Sequence, residues 1–264
     1  MSLDLSRINV PFRMQPGLQR LADGTPQLTP LAAGSALWAD KKRVLESGAS
    51  RLAVPGFDQR PVVAAILARG LAEGHAVEAP LELAFEEDFA LLDGPSTTLP
   101  WLCVCVPSHW APEAKLGLPF TAVHAPVADN QLLLAAAAQL VRLVTDGGSW
   151  ERWVWTVTPS CRHDQHPARQ ARTPWPAEPA PMAFAGQCFL RSERQTFFPL
   201  APGSSQAVFT IRVQLEPLAA AIRSRTDARR LHDALASMSD AVLAYKGLQP
   251  ARARLLAWLA MRAA

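Results

Sequence analysis

The chain reads as an α+β protein built on a mostly antiparallel sheet, and three observations predict this. Short apolar or alternating runs sit in the middle of the chain, at 100–106, 118–124, 152–158 and 207–215. Segments with apolar residues three and four positions apart lie on both sides of them. The order is helices, then strands interrupted by one helix, then helices, which is the segregated pattern of an α+β fold.

The elements follow in order. Prolines 11, 16, 26, 30 and 55 keep residues 1–60 irregular apart from one short helix at 35–47. Val62, Val63, Ile66, Leu67 and Leu71 predict a helix over 61–73, stopped by Gly74. Glu86, Glu87 and Asp88 read as a solvated turn or helix start. The runs at 100–106 and 118–124 read as strands, and Cys103 and Cys105 then share one core-facing side. Residues 131–145 read as one helix, capped by Asp129 or Asn130. In 152–158, Trp153 and Trp155 share a face. In 207–215, Phe209, Ile211, Val213 and Leu215 face one way. Thr210, Arg212 and Gln214 face water or a polar pocket. A helix over 227–243 points Leu231, Leu235, Met238 and Val242 inward. Pro250 opens the last helix, with Leu255, Leu256, Leu259 and Met261 inward. Between 159 and 186 lies a Pro-rich flap or loop too long for an ordinary connector. The whole of 1–264 is expected to form a single domain.

Composition narrows the function classes. In 264 residues, Lys+Arg 26 against Asp+Glu 23 leaves net +3, too little to point to nucleic acid. Trp 8 and Phe 10 against Tyr 1 suit a dry interior or pocket. No signal-peptide core and no membrane-length apolar run are visible: the longest such region, 132–144, is interrupted by Gln139 and Arg142. The four cysteines (Cys103, Cys105, Cys161, Cys188) contain no C-x-x-C, and a reducing cytoplasm is the expected location. There is no G-x-G-x-x-G opening a helix, no P-loop, no G-x-S-x-G and no H-E-x-x-H.

Three constellations remain. Cys161, His163 and His166 have zinc-ligand chemistry, but the spacing matches no common structural site and no fourth ligand is evident, so the Pro-rich, polar stretch reads as a solvated loop. His124 ends the apolar run FTAVH, with Pro126 two residues on. It is either a satisfied core histidine or a neutral imidazole of the kind a haem iron takes as axial ligand. In Arg191-Ser192-Glu193-Arg194-Gln195-Thr196, an extended chain sends Arg191, Glu193 and Gln195 one way and Ser192, Arg194 and Thr196 the other. The arginines are either surface ion-pair partners or forks for ligand carboxylates.

Taken in order, several runs resemble one family. They are Val106-Pro107-Ser108-His109-Trp110 with Glu113-Ala114-Lys115-Leu116-Gly117, Val123-His124-Ala125-Pro126-Val127, and Leu190-Arg191-Ser192-Glu193-Arg194-Gln195-Thr196. Pro11-Phe12-Arg13-Met14, Glu87-Asp88-Phe89 and Tyr245-Lys246-Gly247 are smaller landmarks. The chain resembles the haem-dependent oxidative N-demethylase alpha-subunit-like proteins. The resemblance implies a PAS-like fold binding haem b and removal of a methyl group from a small secondary amine such as dimethylamine. Dioxygen and electrons from separate flavin and iron–sulfur reductase subunits would drive it. It implies His124 as the iron ligand, with His109 in reserve, and Lys115 with Arg191 or Arg194 on the haem propionates. Glu193 would pair Arg194 or bind a cationic amine. The alternative is a PAS-like haem or ligand sensor without turnover. Three departures stand out: Ala128 after Val127, Val154 at the asparagine of "R-x-N-W", and no arginine after Thr196.

Overall fold

The computed structural model describes residues 3–77 and 79–264. Its strands are β1 (Gln19–Arg20), β2 (Arg51–Ala53), β3 (Asp88–Asp93), β4 (Trp101–Cys103), β5 (Trp150–Thr158), β6 (Phe189–Pro199) and β7 (Gln206–Pro217). They form one sheet in the order β1-β5-β6-β7-β3-β4-β2, antiparallel at every step. Helices α1 (Ala36–Glu46), α2 (Arg60–Ala72) and α3 (Leu81–Ala84) precede β3. Helices α4 (Phe120–His124), α5 (Gln131–Ala135) and α6 (Ala137–Thr145) lie between β4 and β5, and α7 (Pro181–Ala185) precedes β6. Helices α8 (Leu218–Ala221), α9 (Arg225–Ala236), α10 (Asp240–Tyr245) and α11 (Arg252–Ala263) follow β7. The fold is α+β.

The register of the central strands decides what meets what. Arg152 lies opposite Gln195, and Gln195 opposite Ile211. Directly opposed residues in an antiparallel pair share a face. One face therefore carries Ala90, Arg152, Glu193, Gln195, Phe209 and Ile211. The other carries Phe89, Glu151, Arg194, Thr196, Val208 and Thr210. Against the second face, Val62 and Ile66 of α2 pack on Phe89, Leu91 and Val208. Further along it, Trp155, Val157 and Leu190 are covered by Phe184 of α7, Leu231 and Leu235 of α9, and Leu255 and Trp258 of α11. The first face is roofed by the segment 104–128 and by α6, whose Val141 and Val144 sit on Leu92.

Several elements differ from the sequence expectation. The run at 118–124 is not a strand: Phe120–His124 forms a helical turn entered at Pro119. A five-residue apolar run carries too little periodicity to separate the two states. The predicted helix over 131–145 breaks at Ala136, and Leu133 and Val141 on either side of the break are both buried. The predicted helix over 227–243 is α9 and α10, because two serines interrupt it. The Ser237 hydroxyl turns back to the carbonyls of Asp233 and Ala234, and Ser239 caps α10 at the Val242 amide. Met261 is exposed, its inward place taken by Trp258. Glu87 and Asp88 are buried rather than solvated, because the fully buried Lys41 of α1 lies 3.0 Å from Asp88 and the Val106 amide donates to it. The side of β7 expected to meet water is also covered. Thr210 is fully buried and shares a 2.7 Å hydroxyl bond with Thr196, while Arg212 pairs with Glu86. Cys103 and Cys105 are core residues, as expected. Among the described residues no helix is long and apolar enough to cross a membrane.

Candidate functional site

A cavity of about 150 Å³ lies between the first sheet face and its roof. Glu193, Gln195, Arg152, Phe209 and Ile211 form its floor. Trp110, Lys115, Phe120 and His124 close it from above. The mixture of apolar walls and a few convergent polar groups is that of a small-molecule site.

His124 owes its placement to the helical turn. One turn after Phe120, its Nδ1 lies 2.8 Å from the Phe120 carbonyl, and the two rings stand 4.1 Å apart. A carbonyl only accepts, so Nδ1 carries the proton and Nε2 keeps its lone pair. Asn130 donates to the carbonyls of His124 and Ala125 and secures the end of the turn. Burial, assisted by the nearby Arg152 and Lys115 charges, pushes the imidazole down to about 4 against the opposing Phe120 hydrogen bond. At neutral pH it is uncharged.

Lys115 follows a short 3-10 turn (Pro112–Ala114) and holds its ammonium 4.7 Å over the Trp110 ring. Burial lowers its pKa, with Glu193 acting against that. Arg152 has its Nε buried without a hydrogen-bond partner. Burial lowers its pKa too, again opposed by Glu193. Glu193 accepts from the Ser108 hydroxyl, and from Gln195 at 2.7 Å.

The arginines of the 191–196 run do other work. Arg191 is buried, and its Nε donates to Ser108 at 2.8 Å. The rest of its guanidinium donates to the carbonyls of Arg162, His163 and Val106. It ties two loops to the sheet and has little left for a ligand carboxylate. Arg194 lies on the opposite face from His124, where it donates to Glu151 at 2.6 Å and to the Pro26 carbonyl. Arg191 and Arg194, expected at a ligand, are thus engaged by protein groups, while Lys115 and Arg152 line the cavity. Nor does Glu193 pair with Arg194, since neighbours in a strand point to opposite faces.

Elsewhere, His109 stands at φ +58 and lines a different cavity. Cys161 is exposed, His163 lies 4.0 Å from Asp40, and His166 bonds Glu113 at 3.0 Å. The described residues contain no metal-holding group of three. The stretch 159–180 is loop, anchored by these contacts and by Arg169 on Asp164.

Sequence reasoning missed Arg152, Ser108 and Gln195 as lining or bridging residues. A signal existed for Arg152, a charge alternating with Trp153 and Trp155 inside a strand. Ser108 gave none, since only tertiary contact joins it to Arg191 and Glu193.

Residues 70–256 match the family described as haem-dependent oxidative N-demethylase, alpha subunit-like. The chain belongs to that family. No curated protein matches the chain. The family match covers His124, Lys115, Arg152 and Glu193, and leaves the landmark at 11–14 outside it. The family's description names haem, and the donor set present is of the right kind. A neutral imidazole offers Nε2, and its Nδ1–H is fixed on a carbonyl, an arrangement common in metal-binding histidines. Two cations stand near it without an ion-pair partner among the described residues. The cavity is smaller than the roughly 300 Å³ at which small-molecule sites begin. Arg152 also lines a second space of about 190 Å³, so it stands between the two.

Proposed function

We propose that this chain is the haem-binding catalytic subunit of an oxidative N-demethylase acting on a small secondary amine of the dimethylamine kind. The observation that carries the reading is the neutral His124 imidazole, its Nδ1 committed to Phe120 and its Nε2 without a partner among the described residues. Haem b, when bound, would supply the dioxygen and one-electron chemistry that side chains lack.

The chain's own residues supply binding, orientation and electrostatics. His124 is the iron ligand, and the Phe120 carbonyl sets its tautomer and ring orientation. Lys115 and Arg152 are the cations for the propionate carboxylates. Trp110, Phe120 and Phe209 keep the site dry. Glu193 is the one carboxylate on the cavity floor. Held by Ser108 and Gln195, it is suited to receive a protonated amine. A flavin and iron–sulfur reductase would deliver electrons from separate subunits in the cytoplasm. The antiparallel sheet with its roofed face supports a PAS-like reading of the fold.

An absorption spectrum after haem addition tests this directly. Wild type should develop a Soret band, and His124→Ala should lose or shift it, with added imidazole restoring it. An unchanged band in His124→Ala would sink the assignment. One observation favours a second reading, a haem or ligand sensor without turnover: at about 150 Å³ the cavity lies below the usual range of small-molecule sites. Amine-dependent NADPH oxidation with an added flavin and iron–sulfur reductase separates the two. Formaldehyde release supports the enzyme, and haem binding without it supports the sensor.

A further inference from the structure

A larger cavity, about 360 Å³, lies under the Pro-rich loop, between the end of β5 and the turn after α10. That volume is within the range of small-molecule sites. Its charges do not balance. The one carboxylate in its wall among the described residues, Asp164, is already held by Arg169 at 2.9 and 3.0 Å. Lys246, Arg172 and Arg162 remain, and none makes an ion pair among the described residues; Arg162 is bonded to Gln170. Lys246 donates one hydrogen bond, to the Trp155 carbonyl at 2.7 Å, and has two donors left. Its ammonium also stands over the Phe12 and Trp155 rings, where it borders the space of about 190 Å³ as well as this cavity. Arg172 lies against Gly247, where an added Cβ would stand 3.4 Å from its Nη1. That spacing is ordinary contact, and it is the φ of +66 that favours glycine at this turn.

A second, independent feature is an acceptor. Gln165 is buried and lines the same cavity, and its Oε1 has no hydrogen-bond partner. Its amide nitrogen faces the Arg162 carbonyl, which fixes the oxygen's direction. A buried orphan acceptor is costly unless something donates to it. Trp175 and Val157 give the cavity an apolar side. Burial brings the Lys246 ammonium down to about 8, still charged at neutral pH.

We propose that this cavity is a binding site, distinct from the His124 cavity, for a small organic anion bearing a hydroxyl group. Lys246 and Arg172 take its carboxylate or phosphate, Gln165 accepts from its hydroxyl, and Trp175 and Val157 cover its carbon skeleton. Carboxylate and phosphate ester share the chemistry the cations read, and the experiment separates them.

Calorimetric titration of the full chain with malate, glycerol 3-phosphate and glycerol tests the site. One of the two anions should bind and glycerol should not. Lys246→Met and Arg172→Met should each weaken that binding at least about tenfold, and Lys246→Arg should restore most of it. Gln165→Leu should remove the preference for malate over succinate, or for glycerol 3-phosphate over inorganic phosphate. Thermal melts establish that each variant is folded. The proposal is overturned if neither anion binds, if glycerol binds equally, or if the folded Met variants bind as wild type does. It is also overturned if haem loading abolishes anion binding, because the two cavities would then be one site.

Discussion

The two faces of the central sheet carry similar charged residues, and those around the His124 cavity are used differently from those on the α2 side. On the α2 side, Arg194 and Arg7 share Glu151, and Arg212 meets Glu86. On the roofed side, Arg152 and Lys115 have no ion-pair partner among the described residues, and Glu193 is held only by neutral groups. A charge removed from water must be compensated. Where the protein supplies the compensation, the charge is architecture. Where it does not, the position is open to a ligand. Arg191 marks the boundary: it lies on the roofed side, but loop carbonyls and Ser108 consume its donors.

The largest test of this contrast is Arg194→Met. It strands Glu151 with only the half-exposed Arg7, and should cost roughly 3 kcal/mol in urea denaturation. Haem affinity of the folded fraction should be unchanged. Arg152→Met should do the reverse, leaving stability within about 1 kcal/mol of wild type while haem affinity falls about tenfold or more. If both variants lost stability alike, the two faces would not differ in the way argued. Ser108→Ala removes the hydroxyl joining Arg191 to Glu193 and should cost about 1 kcal/mol by thermal melting.

The smallest effect is on pH dependence. His124 is held at about 4, below its ordinary 6.5, so the unfolded chain binds the extra proton in that window. Its contribution to stability is present above about 6.5 and lost as pH falls towards 4. Glu87, raised to about 7 chiefly by burial, acts in the opposite sense between 4.5 and 7. The histidine part is therefore read as the difference between wild type and His124→Gln. Wild type should lose stability relative to His124→Gln as pH falls from about 6.5 towards 4, and a flat difference would mean His124 is not held neutral.

Much of the frame was legible because it rests on local periodicity. Alternation in 207–215 placed Phe209 and Ile211 on one side, and the i, i+4 pattern of α9 put Leu231 and Leu235 in the core. The errors came where local signals compete. Ser237 and Ser239 divided a continuous apolar stripe. Pro119 turned an apolar pentapeptide into a helical turn, and that turn delivers His124 to the cavity.

By itself the sequence determined the α+β class, the family and the alternation that separates Glu193 from Arg194, because these depend on residues near one another in the chain. The tertiary structure alone decided that Arg194 is spent on Glu151, that Arg191 is a loop tie, and that Arg152 stands beside His124 with no ion-pair partner among the described residues. A charge's role depends on which distant groups reach it after folding, and no spacing within the chain records that distance.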